Sequence, residues 1–197
     1  SEYHDFQAET SLDVGPLGGT VVPSPTGSYQ SLTDWPVVWD QRTSLPLRAD
    51  GETIEGARIG LVATAPDLDA EGLRAASTVP ALPEQVFGEN LADPAPITGE
   101  ELPELARDIT ADAATPFDAA VALQRWFTTD GGFTYSTAID GGSDEDALAT
   151  FLTERIGYCE QFAATMALMA RTLNIPSRVQ VGFTPGEQDD DGTWVVT

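Results

Sequence analysis

Apolar positions fall into two regimes along the chain. From residue 6 to about 66 they alternate with polar ones or come in short runs, FQAETSLDV, GTVVPSPTGSY, WPVVWD and ARIGLVATA, punctuated by Gly and Pro. A period of two, with Val, Ile and Trp prominent, is the period of a strand, so this segment is predicted to be strands and turns. From Gly99 the spacing lengthens to three and four. EELPELARDITADA sets Leu102, Leu105, Ala106 and Ile109 on one helical face. In TPFDAAVALQRWF, Thr115 suits an N-cap and Pro116 the first helical position. Its predicted apolar stripe is Phe117, Ala120, Val121, Leu123, Trp126 and Phe127. FTYS follows the Gly131-Gly132 turn as a brief extended piece. SDEDALATFLTERIG opens with a Ser cap and acids in the first turn, the favoured sign there, and Gly157 is expected to break it. A last helix is expected from near Cys159 to about Asn174, with Ala163, Met166, Ala167 and Ala170 facing inward and Pro176 preventing continuation. SRVQVGF and TWVV then read as strands around a TPGEQDDDG loop.

Between the regimes, residues 67–97 read as a connector: a short helix in DLDAEGLRAAS, then four prolines in TVPALPEQVFGENLADPAPITG, too many for long regular structure. The expected organisation is therefore a strand-rich segment at 1–66, a Pro-rich connector at 67–97 and a helical-then-strand core at 98–197, an α+β protein.

Charge narrows the function. Against 32 acidic residues stand 9 basic ones, all arginine, for a formal net charge of −23. Such a field repels nucleic acid and anionic headgroups, which excludes both as principal partners. With one cysteine and one histidine, His4, an intrachain disulfide and a Cys/His metal cluster are both excluded. No cofactor motif is present. No run of about 18 apolar residues occurs, so no transmembrane helix is expected, and no signal peptide is apparent. A soluble piece of a longer protein fits this pattern.

The single cysteine is the candidate for chemistry. Cys159 follows a Gly-containing break and opens an apolar helix. A thiol at a helix N-terminus meets unpaired backbone N–H groups and the positive end of the peptide dipoles, both of which favour the reactive thiolate. The same N–H groups suit an oxyanion formed on an attacked carbonyl. Nucleophile and part of an oxyanion hole can thus arise from one stretch, the combination that acyl transfer needs. The simpler alternative is a buried cysteine acting as a small hydrophobe.

The stretch GYCEQFAATMALMARTLNIPSRVQVGFTPG resembles the nucleophile segment of the transglutaminase-like superfamily, whose fold is related to papain. The likeness rests on Gly157, Cys159, Phe162-Ala163, Arg171, Ile175-Pro176 and Arg178, with Asn174 where Gly is usual. ALQRWFTTDGGFTYS and DALATFLTERIGYCEQFA extend it upstream. YQSLTDWPVVWD with ARIGLVATAPDLDAEGLRAA is similar, more loosely, to the strand-rich segment of bacterial membrane-anchored members. The resemblance implies a papain-like core and a Cys159 nucleophile acting on a protein Gln side chain or peptide carbonyl. It also implies a membrane-anchored parent and an extracytoplasmic location. The base and its orienter, a His and an Asp, would stand on strands after the cysteine helix. The sequence reaches Thr197 before any such His, so the core is expected to be incomplete at its C-terminus and the chain alone inactive. His4 matches nothing in the motif. A rival reading is a non-catalytic protein-binding module on the same scaffold.

Other side chains are weighed against plainer roles. Gln161 is expected to be solvated, Glu160 exposed, Trp126 and Tyr135 core, and Arg178 a structural support for its strand. Asp140, Asp144 and Asp146, and the run Asp189-Asp190-Asp191, lack the spacing of an EF-hand calcium loop and read as caps and turns. An unpaired strand edge in the core would invite a second copy, so a homodimer is a further expectation.

Overall fold

A computed structural model describes residues 5–24, 28–40, 45–66, 68–76, 101–139, 145–183 and 186–196. His4, Asp140, Asp144, most of the Pro-rich connector and the Ser cap expected at 143 lie outside these residues. The chain divides into two compact units, Ser1–Leu68 and Asp69–Thr197. Both strands and helices are present, so the α+β class holds.

The first unit is a small antiparallel assembly. Strand β1 (Asp5–Asp13) pairs along its whole length with β5 (Arg58–Pro66), from Asp5 opposite Pro66 to Asp13 opposite Arg58. Strand β2 (Ser28–Ser31) takes the other edge of β5, giving the order β1-β5-β2. Strands β3 (Val37–Asp40) and β4 (Leu45–Arg48) form a separate antiparallel pair, which Val21 joins by a bridge to Leu47. Val22, Ile54, Ile59 and Leu61 make the core, flanked by Leu12, Val14, Trp35 and Val37. Sequence alternation located β1, β3 and β5. It passed over β2, whose SYQS is polar, and β4, whose Pro46 is atypical of a strand.

The second unit is mainly helical: α1 (Ala70–Ala76), α2 (Glu101–Ile109), α3 (Pro116–Arg125), α4 (Glu145–Glu154) and α5 (Cys159–Thr172). Short strands β6 (Thr134–Tyr135) and β7 (Ile156–Gly157) pair in parallel, and β8 (Glu187–Gln188) with β9 (Trp194–Val195) as a hairpin. Helix α5 is the hub, against which α2, α3 and α4 all pack. Leu102, Ala106, Leu123, Phe127, Phe151, Met169 and Ala170 form the buried core. Each Leu, Phe and Met among them contributes about 1.5–3 kcal/mol by leaving water. No helix among the described residues is long and apolar enough to cross a membrane.

Local signals explain most boundaries. Thr115 is extended, and its Oγ1 accepts the Asp118 N–H at 3.1 Å, capping α3 ahead of Pro116 as expected. Helix α3 then widens into a π turn, Trp126–Asp130, closed by Gly131 N–H on the Trp126 carbonyl at 2.7 Å. A Cβ on Gly131 would meet that carbonyl oxygen at 2.6 Å, so the closure requires glycine. The wide turn was not legible in the sequence. The stripe that is buried is Ala119, Leu123 and Phe127, spaced by four, whereas Val121 lies outside it, 38% exposed.

Two further expectations are corrected. Gly157 does not end α4; Arg155 does, in the left-handed conformation (φ 56°), and Gly157 belongs to β7. SRVQVGF forms no strand: residues 176–183 are irregular, and Val181 is 91% exposed. Alternation makes a strand only where a neighbour supplies the ladder, and among the described residues this segment has none.

Candidate active site

The site is built where α4, β7 and α5 follow one another with a single residue, Arg155 and then Tyr158, at each junction. Arg155 donates its N–H to the Phe151 carbonyl at 2.8 Å, and its own carbonyl accepts the Thr134 N–H at 2.8 Å. Gly157 accepts the Ser136 N–H at 2.7 Å. These bonds pin β7 beside β6, with Tyr135 opposite Gly157. The Arg155 guanidinium donates back to the Gly131 carbonyl and lies over the Phe133 ring, 5.8 Å from its centroid. One residue thus ends α4, carries part of the β6–β7 ladder and secures the turn that launches β6.

Tyr158 is the extended N-cap (φ −121°, ψ −174°), and Cys159 is the first residue of α5. The Cys159 side chain is a free thiol and exposed. It is therefore not the buried small hydrophobe of the alternative reading. The cap is set from both sides. Gln161 Oε1 accepts the Tyr158 N–H at 3.1 Å, and the Tyr158 hydroxyl donates to Glu160 Oε2 at 2.8 Å. Gln161 was expected in solvent; it is 2% exposed, and its amide belongs to the cap. A Gln at the third helical position is half of a capping box, a signal that the sequence carried in YCEQ. Glu160 is exposed, as expected.

The inward face of α5 is Gln161, Thr165, Met169 and Ala170; of the predicted stripe Ala170 is buried, Met166 is partly buried against the core, Ala167 is partly buried, and Ala163 is exposed. Phe162 reaches an aromatic cluster, with ring centroids 4.9 Å from Phe151, 5.7 Å from Phe133 and 6.0 Å from Phe127. Trp126 joins it against Phe133 at 4.8 Å, a core role as expected. Tyr135 does not share that burial: it is 62% exposed.

The far end of α5 closes as the sequence suggested. Asn174 is left-handed (φ 58°), the Asn174 N–H bonds the Arg171 carbonyl and the Ile175 N–H bonds the Ala170 carbonyl, each at 2.9 Å. This is a Schellman closure with Asn in place of Gly. Arg171 then donates Nε and Nη2 to the Ser177 carbonyl at 3.0 and 2.8 Å, fixing the path out of the helix. Arg178 was expected to support a strand; it is exposed, with no ion pair among the described residues.

A cavity occurs in each unit. A groove of about 590 Å³ in the first unit includes Trp35, Arg48 and Arg58, and one of about 270 Å³ in the second lies between Thr110, Pro116 and Ile175. Neither is lined by Cys159. Among the described residues no cluster of His, Cys, Asp or Glu is arranged to hold a metal ion. Asp146 lies in the first turn of α4. Asp189 and Asp191 both accept the Thr193 N–H, at 3.0 and 2.9 Å, and the Asp191 carboxyl, bonded to Thr193 and Asp189, is pushed down to about 2. That is a turn role.

Known proteins are similar to this chain in sequence or fold. YebA of Bacillus subtilis (strain 168), a protein without an assigned function, is 34% identical over 100 residues, which is 47% of this chain and 13% of YebA. The periplasmic domain of TgpA from Pseudomonas aeruginosa, solved bound to ethylmercury, superposes with a TM-score of 0.69 at 18% identity, over 100% of this chain and 66% of that one. A second structure of the same domain gives 0.66 at 17% identity, over 98% and 61%. The chain thus spans about an eighth of YebA and just under two thirds of the TgpA domain. At those identities the TgpA structures speak for the fold alone. The model of the transglutaminase-like superfamily matches residues 103–196, a span holding α2 to α5, the β6–β7 pair and Cys159. Within this chain, that span is a domain of the transglutaminase-like superfamily.

Proposed function

We propose that Cys159 is the nucleophile of a cysteine acyl transfer on a protein Gln carboxamide or a peptide carbonyl. The observation that carries this reading is an exposed thiol on the first residue of a 14-residue helix, within the matched domain. Its sulfur, as thiolate, attacks the carbonyl carbon, and the tetrahedral oxyanion forms at the helix N-terminus, where the positive end of the peptide dipoles favours negative charge. The C–N bond then breaks, ammonia or an amine leaves with a proton, and a thioester remains on Cys159. An amine or water attacks that thioester next, giving a cross-linked, deamidated or hydrolysed product and returning the thiol.

A base must take the first proton and give it to the leaving nitrogen. His4 is the only histidine among the 197 residues, and its position at the start of the strand-rich segment does not match a base that follows the cysteine helix. The chain by itself therefore holds the nucleophile but not the relay, and turnover requires groups that it does not contain. The likeness to a periplasmic domain supports action outside the cytoplasm.

An activated ester separates the two claims, because it acylates a nucleophilic thiol without help at the leaving group. With p-nitrophenyl acetate the chain should release one equivalent of nitrophenolate and carry one acetyl group on Cys159 by peptide mass mapping. Cys159→Ala should do neither. Acetylation distributed elsewhere, or equal in Cys159→Ala, overturns the nucleophile. Sustained Cys159-dependent turnover of a Gln peptide by the chain alone overturns the incomplete relay.

A further inference from the structure

Tyr135 stands out among the aromatic residues that meet Phe162. Trp126, Phe127, Phe133, Phe151 and Phe162 share one cluster and are buried or partly buried. Tyr135 continues that cluster outward, its ring 6.2 Å from Phe162 and inclined at 31° to it, yet 62% of the residue is exposed. Two independent placements bring it to the thiol. Along the ladder, Tyr135 lies opposite Gly157, two residues before Cys159. Paired strands are about 4.8 Å apart and two residues advance the chain by about 6.6 Å, so the two Cα atoms are on the order of 8 Å apart. Along the helix, Phe162 is three residues beyond Cys159, and side chains so spaced share a helix face about 5–6 Å apart. A ring in contact with Phe162 and rooted opposite Gly157 borders the surface onto which the sulfur opens.

We infer that Tyr135 is a positioning residue for the acyl donor: its exposed ring face receives an apolar group carried within about one residue of the reacting carbonyl and holds that carbonyl over Cys159. The inference rests on the acyl-transfer reading above. An aromatic face offers such a group contact area at small cost in side-chain entropy, since only two torsions are fixed. The phenol hydroxyl is not required. Phe183 and Trp194 are as exposed, but among the described residues only Tyr135 joins such exposure to a ring contact with Phe162 and a place opposite Gly157.

The test uses two electrophiles on the whole chain. Iodoacetamide reports the thiol alone. A benzyloxycarbonyl-capped Gln-Gly dipeptide whose side-chain carboxamide is replaced by a diazoketone reports docking followed by alkylation. The unaltered chain should show a saturable rate with the dipeptide. Tyr135→Ala and Tyr135→Leu should raise its half-saturation concentration by about three- to tenfold, the range for one aromatic contact. Tyr135→Phe should match the unaltered chain, and iodoacetamide should alkylate all four proteins at rates within about twofold. Half-saturation unchanged in both Tyr135→Ala and Tyr135→Leu overturns the inference and leaves the nucleophile standing. Loss equal with both reagents overturns it too, by showing that Tyr135 acts on the thiol rather than on the donor. No saturation by the dipeptide in the unaltered chain, at a rate no higher than that of iodoacetamide, overturns the acyl-transfer reading and the inference with it.

Discussion

The ring of Phe151 lies directly against the backbone of Gly157: a Cβ added at Gly157 would stand 2.5 Å from Cδ2 and 2.6 Å from Cε2 of that ring. No conformational freedom of glycine is involved, since Gly157 is not in the left-handed region. The requirement is space. Phe151 is 2% exposed and packed among Phe127, Phe133 and Phe162, so it cannot retreat. Gly157 therefore sets how closely the chain passes the aromatic core two residues before the thiol. Gly157→Ala should destabilise the unit by about 1–3 kcal/mol, the usual cost of overpacking a filled interior. Urea unfolding measures it, and a variant as stable as the parent would show that the core yields.

A second dependence runs through Gln161. Its carboxamide is buried and accepts the Tyr158 N–H at 3.1 Å, at the N-cap of the helix. Gln161→Leu keeps bulk and removes the acceptor. The expected cost is about 1–2 kcal/mol, the range for a lost helix cap. Amide exchange at Tyr158 should accelerate together with this loss. Unchanged exchange would mean that the cap is held by some other group.

Much of this arrangement was legible in the sequence, and the misses share a cause. Caps and stops are local chemistry, so Thr115, Pro116 and Asn174 could be identified from residue type alone. The first helical residue at Cys159 followed from the same kind of signal. What failed needed knowledge of a neighbour. Val121 and Ala163 have the right spacing for burial but lie outside the faces that α3 and α5 turn inward. Tyr135 is an aromatic in a strand and reads as core; only its place at the outer end of the ring cluster leaves it in solvent. Arg155 in the left-handed region was hidden because a glycine two residues later is the more obvious breaker. Gln161 is polar on a helix, and its burial follows from the turn that it caps.

Acid should loosen the junction of α1 and α3. The Arg74 guanidinium bonds the Asp118 carboxylate at 2.7 Å, and the Thr115 hydroxyl donates to it at 2.8 Å. Both hold the Asp118 carboxyl below its ordinary 3.8, Arg74 more strongly. A carboxyl depressed in the folded state contributes stability that is fully present above its ordinary value and is lost as pH falls through the folded one. Asp118→Asn should therefore melt below the parent at pH 7, with a gap that narrows only beneath about pH 4 and closes in stronger acid. Melting curves in a pH series give the result. A gap constant down to the acid limit would assign the loss to packing instead of charge.

Thr165 presents the opposite case, a polar group that costs stability. It is fully buried on the inward face of α5, one turn beyond Gln161, and its Oγ1 has no hydrogen-bond partner among the described residues. An unsatisfied buried hydroxyl forfeits its water contacts without return, a penalty of about 1–3 kcal/mol. Val has nearly the same shape and no such penalty. Thr165→Val should stabilise the unit by about 1 kcal/mol, and Thr165→Ser should destabilise it by a similar amount, since it keeps the orphan oxygen and deletes a methyl group worth about 0.8 kcal/mol. Paired denaturant titrations of the two variants decide the matter. If Thr165→Val were the less stable of the two, the hydroxyl would have a partner in solution, and water within reach of the Gln161 turn would be the first place to seek it.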